Sequence, residues 1–154
     1  MTHKARIIFI FLSLFLFDRL SKWIVLENYK EGQGFTVFPG FLRVTRVDNT
    51  GAAFGIFQGG GVFLIGISAL FIALLGIFFF KKASSADFRV SLAWVFVVAG
   101  ALGNLVDRVR YGYVVDFIDF KVWPVFNIAD TSICIGVGLM ILRFIQNSRV
   151  FESH

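Results

Sequence analysis

Two aspartates stand in surroundings whose residue types are otherwise apolar. Asp116 lies in the extended stretch Gly112-Tyr113-Val114-Val115-Asp116-Phe117-Ile118-Asp119-Phe120, and Asp130 lies fourteen residues later, in Phe126-Asn127-Ile128-Ala129-Asp130-Thr131-Ser132. Two carboxylates held close together cannot both ionise easily, so they share a proton. The ionised member can act as a general base on water, while the protonated member donates to a peptide carbonyl and later helps the amine leave. This chemistry requires neither a metal nor a nucleophilic side chain, and no cofactor is expected. A plainer reading exists for Asp130. Asn127 and Asp130 fit the N-cap and N3 positions of a helix, resembling a capping box, and for Asp130 taken alone capping is the stronger reading. The pair together shifts the balance, because both residues flank a short loop that returns to the same membrane edge.

Other polar residues gather near this pair in sequence. The run Gly100-Ala101-Leu102-Gly103-Asn104-Leu105-Val106-Asp107-Arg108 closes an apolar helix. Gly100 and Gly103 permit close helix contact; Asn104 and Arg108 share a face, and Asp107 is one turn from Asn104. A polar helix end is the plain alternative. Asn49-Thr50-Gly51-Ala52-Ala53-Phe54-Gly55 reads as a turn feeding an interfacial segment, although Asn49 has an amide to offer a peptide. Asp18 and Lys22 are four residues apart inside the first apolar segment, and the expected role is an ion pair that neutralises both charges.

Other catalytic classes lack their residues. The two histidines, His3 and His154, sit at the chain ends, so neither Ser68 nor Cys134 has an intramembrane histidine partner. A His-Glu-x-x-His zinc motif is missing from the sequence. Cys134, the single cysteine, reads as a small, buried, apolar residue. The net charge of +5 does not indicate nucleic acid, because Lys and Arg are scattered and form no basic stripe with interleaved aromatics.

The elements that must position these groups follow from composition. Of 154 residues, 57% are hydrophobic and 16% charged, against about 25% charged in soluble domains. A chain this short cannot bury so much apolar surface in water. A single membrane domain, residues 1–154, is expected. A hydrocarbon core about 30 Å thick needs roughly 20 apolar helical residues, and four segments qualify: 7–26, 61–80, 90–106 and 128–145. The first has a basic start but no small-x-small cleavage site, so it reads as a retained helix. Short segments rich in Lys and Arg (1–6, 81–89 and the tail) place both termini in the cytoplasm, with 27–60 and 107–127 on the outer side. Residues 35–47, with a Pro39-Gly40 turn, read as an outer β-hairpin that Tyr113–Phe120 can join. The fold class is therefore mainly α: a four-helix membrane bundle with a small extramembrane sheet.

Five pieces in order resemble bacterial lipoprotein signal peptidase (signal peptidase II): Asp18-x-x-x-Lys22, Asn49-Thr50-Gly51-Ala52-Ala53-Phe54, Gly103-Asn104-Leu105-x-Asp107-Arg108, Val115-Asp116-Phe117 and Phe126-Asn127-x-Ala129-Asp130. They span essentially the whole chain and no motif position departs, although the loop between the two aspartates is short. The resemblance implies an aspartic membrane protease with Asp116 and Asp130 as the catalytic pair. It implies that Asn49, Asn104, Arg108 and Asn127 bind substrate, with Asp18, Lys22, Gly103, Asp107 and Ala129 in support. The implied partners are prolipoproteins with a diacylglyceryl cysteine, cut just before that cysteine, and membrane lipids. The implied setting is the bacterial inner membrane, with a monomer whose site lies near the outer face.

Two readings from other classes compete. A small transporter or channel subunit would line a continuous path with its charges, whereas here the polar residues gather at one edge and the second apolar segment has none. A non-catalytic assembly subunit would tolerate Asn at both 116 and 130.

Overall fold

The computed structural model describes residues 2–51, 61–82 and 87–151, with the side chains of 78–82 and 148–151 left aside. Ala52, Ala53, Phe54 and Gly55, part of the motif that begins at Asn49, lie outside the described residues. Among those described, the chain is mainly helical with one three-stranded antiparallel sheet. Helices α1 (His3–Asn28), α2 (Gly61–Lys82), α3 (Phe88–Tyr111) and α4 (Ile128–Phe151) are joined by strands β1 (Gly34–Phe38), β2 (Leu42–Asn49) and β3 (Val114–Asp119).

Each helix begins and ends where local chemistry dictates. Thr2 caps α1 by accepting from the Ala5 N–H at 3.2 Å. Asp87 caps α3, and Gly112 ends it with φ 82°, a left-handed conformation that glycine adopts without a Cβ penalty. Helix α3 therefore runs past the apolar stretch 90–106. Asp107 and Arg108, expected at or beyond the helix end, lie within its last turns, where the helical repeat fixes their directions.

Large apolar side chains cover the outside. On α1, Phe9, Leu16 and Phe17 are exposed; on α2, Val62 and Leu70; on α4, Leu142 and Phe144. Such surface is unfavourable in water and natural in lipid. Cys134, expected to be buried, is exposed on α4. By length and composition, Phe88–Tyr111 and Ile128–Asn147 can each cross a membrane, and Gly61–Ile77 adds a shorter apolar run. Helices α3 and α4 pack closely because small residues line their contact. A Cβ on Gly100 would collide with the Ala129 carbonyl, and one on Gly136 would lie 2.7 Å from the Ala93 carbonyl.

The sheet has the order β1-β2-β3. Gly40, φ 74°, turns the chain between β1 and β2, and β3 joins β2 as expected for Tyr113–Phe120. A bulge between Val44 and Val47 changes the β2–β3 register; a one-residue slip swaps the faces of all following side chains. Beyond it Val47 faces Asp116 and Asn49 faces Val114. Asn49 and Asp116 are thus diagonal neighbours on one face. Val25 of α1 packs with Val115 and Phe117, seating β3 on the end of the bundle.

Candidate active site

The loop after β3 folds back along its free edge. Phe117 and Ile118 N–H both donate to the Phe126 carbonyl, at 3.0 and 2.8 Å, and Phe126 N–H donates to Ile118 at 3.1 Å. This short clamp delivers Asn127 beside Asp116 and starts α4 at Ile128. The ten residues between Asp116 and Asn127 therefore form a tight return.

Asn127, fully buried, joins the two aspartates. Its side-chain Nδ2 donates to Asp116 Oδ1 at 2.6 Å. Its backbone N–H donates to Asp130 Oδ2 at 3.2 Å, and its Oδ1 accepts from the Asp130 N–H at 2.9 Å. The last two bonds form the capping box. Capping and membership of the aspartate site are thus not alternatives for Asp130: one carboxylate oxygen serves the cap, and the other accepts from Asn104 Nδ2 at 2.8 Å.

Asp116 is 2% exposed. Its Oδ2 accepts from Asn49 Nδ2 at 2.8 Å, while Asn49 Oδ1 accepts from the Gly51 N–H at 3.0 Å. Burial, reinforced by the negative charge of Asp130, pushes the Asp116 carboxyl up to about 7; the Asn49 and Asn127 amides and the Lys22 charge oppose this. Asp116 thus titrates near neutrality.

Asn104 is oriented from behind. Lys22 Nζ donates to Asn104 Oδ1 at 2.9 Å, and Asn127 Nδ2 donates to the same oxygen at 3.2 Å. Neither group can accept in return, so the amide must aim its Nδ2 at Asp130. Arg108 Nη2 donates to the Gly51 carbonyl at 3.1 Å, and its charge acts on both Asp130 and Asp116.

Beneath these residues lies a buried charge cluster. Lys22 pairs with Asp18 at 3.2 Å, as the spacing predicts, and more closely with Asp107 at 2.8 Å. Arg19 completes it, reaching Asp107 Oδ1 at 2.6 Å and Asp18 Oδ2 at 2.9 Å. Two positive and two negative side chains balance. Asp18 Oδ1 also accepts from the Ala129 N–H at 3.0 Å, a donor in the first turn of α4 that lacks an intrahelical partner. Asp107 Oδ2 accepts from the Val115 N–H at 3.2 Å. The cluster therefore fixes the residue before each aspartate. Gly103 leaves room for it, since a Cβ there would lie 2.6 Å from Asp18 Oδ2. Arg19, adjacent to Asp18 in an apolar helix, is not among the site residues expected from the sequence. The signal available was charge balance, because Asp18, Lys22 and Asp107 alone leave one buried negative charge uncompensated.

Residues 10–146 match the family model described as signal peptidase (SPase) II. The chain belongs to the signal peptidase II family. Similar members include the lipoprotein signal peptidase of Halothermothrix orenii, 41% identical over 90% of this chain and 94% of that one. That of Staphylococcus carnosus is 37% identical over 92% and 91%. A bacterial membrane enzyme solved by the in meso method at 2.3 Å resolution superposes with a TM-score of 0.87 at 38% identity, covering 94% of this chain and 90% of that one. A second such structure, at 1.9 Å, gives 0.81 at 39% identity, covering 91% and 92%. As a signal peptidase II member the chain is a peptidase. The described parts of the five motifs named from sequence converge on one end of the bundle.

Proposed function

We propose that this chain removes the signal peptide from diacylglyceryl-modified prolipoproteins as an aspartic endopeptidase, cutting just before the lipidated cysteine, with Asp116 and Asp130 as the catalytic pair. The observation that carries the reading is the bridging of both carboxylates by Asn127. Asp130 stands in the first turn of α4, where the helix dipole favours negative charge, and accepts two N–H bonds. Asp116, titrating near 7, carries the shared proton. Asp130 accepts a proton from water as it attacks the scissile carbonyl; Asp116 donates to the carbonyl oxygen and the pair then protonates the leaving amine. Arg108, Asn49 and Asn104 hold the substrate backbone around the carbonyl, with Asn127 keeping the pair aligned. Asp18, Lys22, Asp107, Gly103 and Ala129 hold these groups from below.

The setting proposed is the bacterial inner membrane, with four spans, both termini cytoplasmic and the site near the outer face, where acyl chains on the substrate cysteine place the adjacent bond. The unit proposed is a monomer.

A first-turnover reaction in H2¹⁸O tests this reading. Mass spectrometry of the products is expected to locate the cut immediately before the lipidated cysteine, with one ¹⁸O in the new carboxylate of the released signal peptide. A cut elsewhere, or an unlabelled carboxylate after one turnover, contradicts direct attack by water.

A further inference from the structure

At the end of the bundle away from the aspartates, α1, α2 and α3 leave an apolar groove of about 250 Å³. Ile7, Ile8 and Phe11 of α1 line one side, Trp94, Val95 and Val98 of α3 the other, and Gly76 of α2 leaves it open between them. Val98 precedes Asn104 by six residues, roughly 9 Å of helix rise, so the groove is separate from the site around Asn104. Gly76 lines the groove and a Cβ there would meet nothing within 4 Å, so a larger side chain has space to enter it.

The mouth of the groove is basic. Lys4 precedes Ile7, Ile8 and Phe11 by three, four and seven residues, which places all four on one face of α1. Lys4 is exposed, and none of the ion pairs among the described residues uses it. Arg6 lies over the Phe88 ring at 5.3 Å, and His3 meets the same ring at 5.5 Å, so the starts of α1 and α3 adjoin. The acid described at this end, Asp87, already faces Arg143 at 3.5 Å.

We propose that this groove binds an anionic phospholipid, with one acyl chain between α1 and α3 and the phosphate beside Lys4. An apolar slot beside the exposed Lys4 and the neighbouring Arg6 matches the two chemistries of such a lipid. The same charge disfavours the competing occupants. A signal peptide carries a basic n-region, and a second copy of this chain would bring its own basic collar; both meet like charge. The site serves to fill the inner end of the bundle and is independent of the aspartates.

Trp94 supplies the reporter. In full-length Trp23→Phe/Trp123→Phe protein reconstituted in phosphatidylcholine, phosphatidylglycerol with brominated acyl chains is titrated against brominated phosphatidylcholine. Half-maximal quenching of Trp94 is expected at a mole fraction at least about fivefold lower for the anionic lipid, the effect of one lysine at a membrane surface. Lys4→Gln/Arg6→Gln is expected to remove the preference, and Gly76→Phe to remove the excess quenching itself. Equal curves for the two lipids, a preference that survives Lys4→Gln/Arg6→Gln, or quenching unchanged by Gly76→Phe would each overturn the proposal. So would relief of quenching by a synthetic signal peptide with a basic n-region, which would make the groove a substrate site.

Discussion

Asn127 donates its side-chain amide to Asp116 Oδ1 at 2.6 Å and its backbone N–H to Asp130 Oδ2 at 3.2 Å, so a single buried residue sets the spacing of the two carboxylates. The same residue is the N-cap of α4, its Oδ1 accepting the Asp130 N–H at 2.9 Å. Helix initiation and carboxylate geometry are thereby one event. The helix cannot form in register without presenting Asp130 to the place where Asp116 waits.

The two duties of Asn127 are separable by substitution. Asn127→Ala loses both the cap and the bridge, and is expected to cost about 1 kcal/mol from the cap and more from unsatisfied neighbours. Asn127→Ser keeps an N-cap oxygen but cannot reach Asp116. Thermal unfolding in detergent is expected to show Ser more stable than Ala, while peptide cleavage falls about 100-fold or more in both. Full cleavage activity in the Ser variant would show that the bridge is only a cap.

The position of the Asp116 carboxyl, near 7 against an ordinary 3.8, has a stability consequence. Between these values the folded protein binds a proton that the unfolded chain has released. Stability therefore falls as pH rises from about 4 to 7 and levels off above, by a few kcal/mol in total. Wild type is expected to lose melting temperature from pH 5 to 8, with Asp116→Asn showing a clearly flatter slope. Parallel slopes would mean that Asp116 is not protonated in the fold.

The buried cluster should respond unequally to loss of its two cations. Lys22 is 1% exposed and touches Asp18, Asp107 and Asn104. Lys22→Met leaves buried carboxylates under-compensated and leaves the Asn104 amide oriented by Asn127 alone, an expected cost of about 3–5 kcal/mol. The Arg19 side chain is 21% exposed, and Arg19→Gln is expected to cost less, about 1–3 kcal/mol, because water reaches part of the gap. Chemical denaturation of the two variants decides the order.

Glycine substitutions test the close approach of α3 to its neighbours. A Cβ on Gly103 would press on Asp18 Oδ2 at 2.6 Å and Ala129 Cβ at 3.3 Å. Gly103→Ala is expected to destabilise by about 1–3 kcal/mol and to reduce cleavage by moving Asp18 from the Ala129 N–H. Gly138→Ala, where a Cβ meets nothing within 4 Å, is expected to be neutral or to gain about 1 kcal/mol of helix propensity. Equal behaviour of the two would contradict the tight α3–α4 contact.

These residues also show what a sequence can and cannot reveal here. The apolar runs and the Pro39-Gly40 turn expose the elements, because lipid demands long apolar stretches and turns demand particular dihedrals. The spacing of Asp18 and Lys22 gives their pairing, since helical periodicity alone brings them together. Asn127 and Asp130 were legible as a cap for the same local reason. The joining of that cap to Asp116 was not, because it depends on the Phe117–Phe126 clamp, a contact between backbone atoms that leaves no residue signature. The end of α3 was read too early, since polar Asp107 and Arg108 look like a terminus until their partners, Val115 N–H and the Gly51 carbonyl, are in place. Arg19 was missed because its partner Asp107 is eighty-eight residues away, so the charge balance that signals it shows only when the two distant segments are counted together.

The measurement closest to the central claim is cleavage of a diacylglyceryl-modified prolipoprotein in detergent or lipid by wild type, Asp116→Asn and Asp130→Asn, each first shown to be folded. The two-aspartate account predicts that wild type cuts before the lipidated cysteine and that each variant loses about 1,000-fold or more in turnover. Near-normal turnover by either folded variant would contradict it.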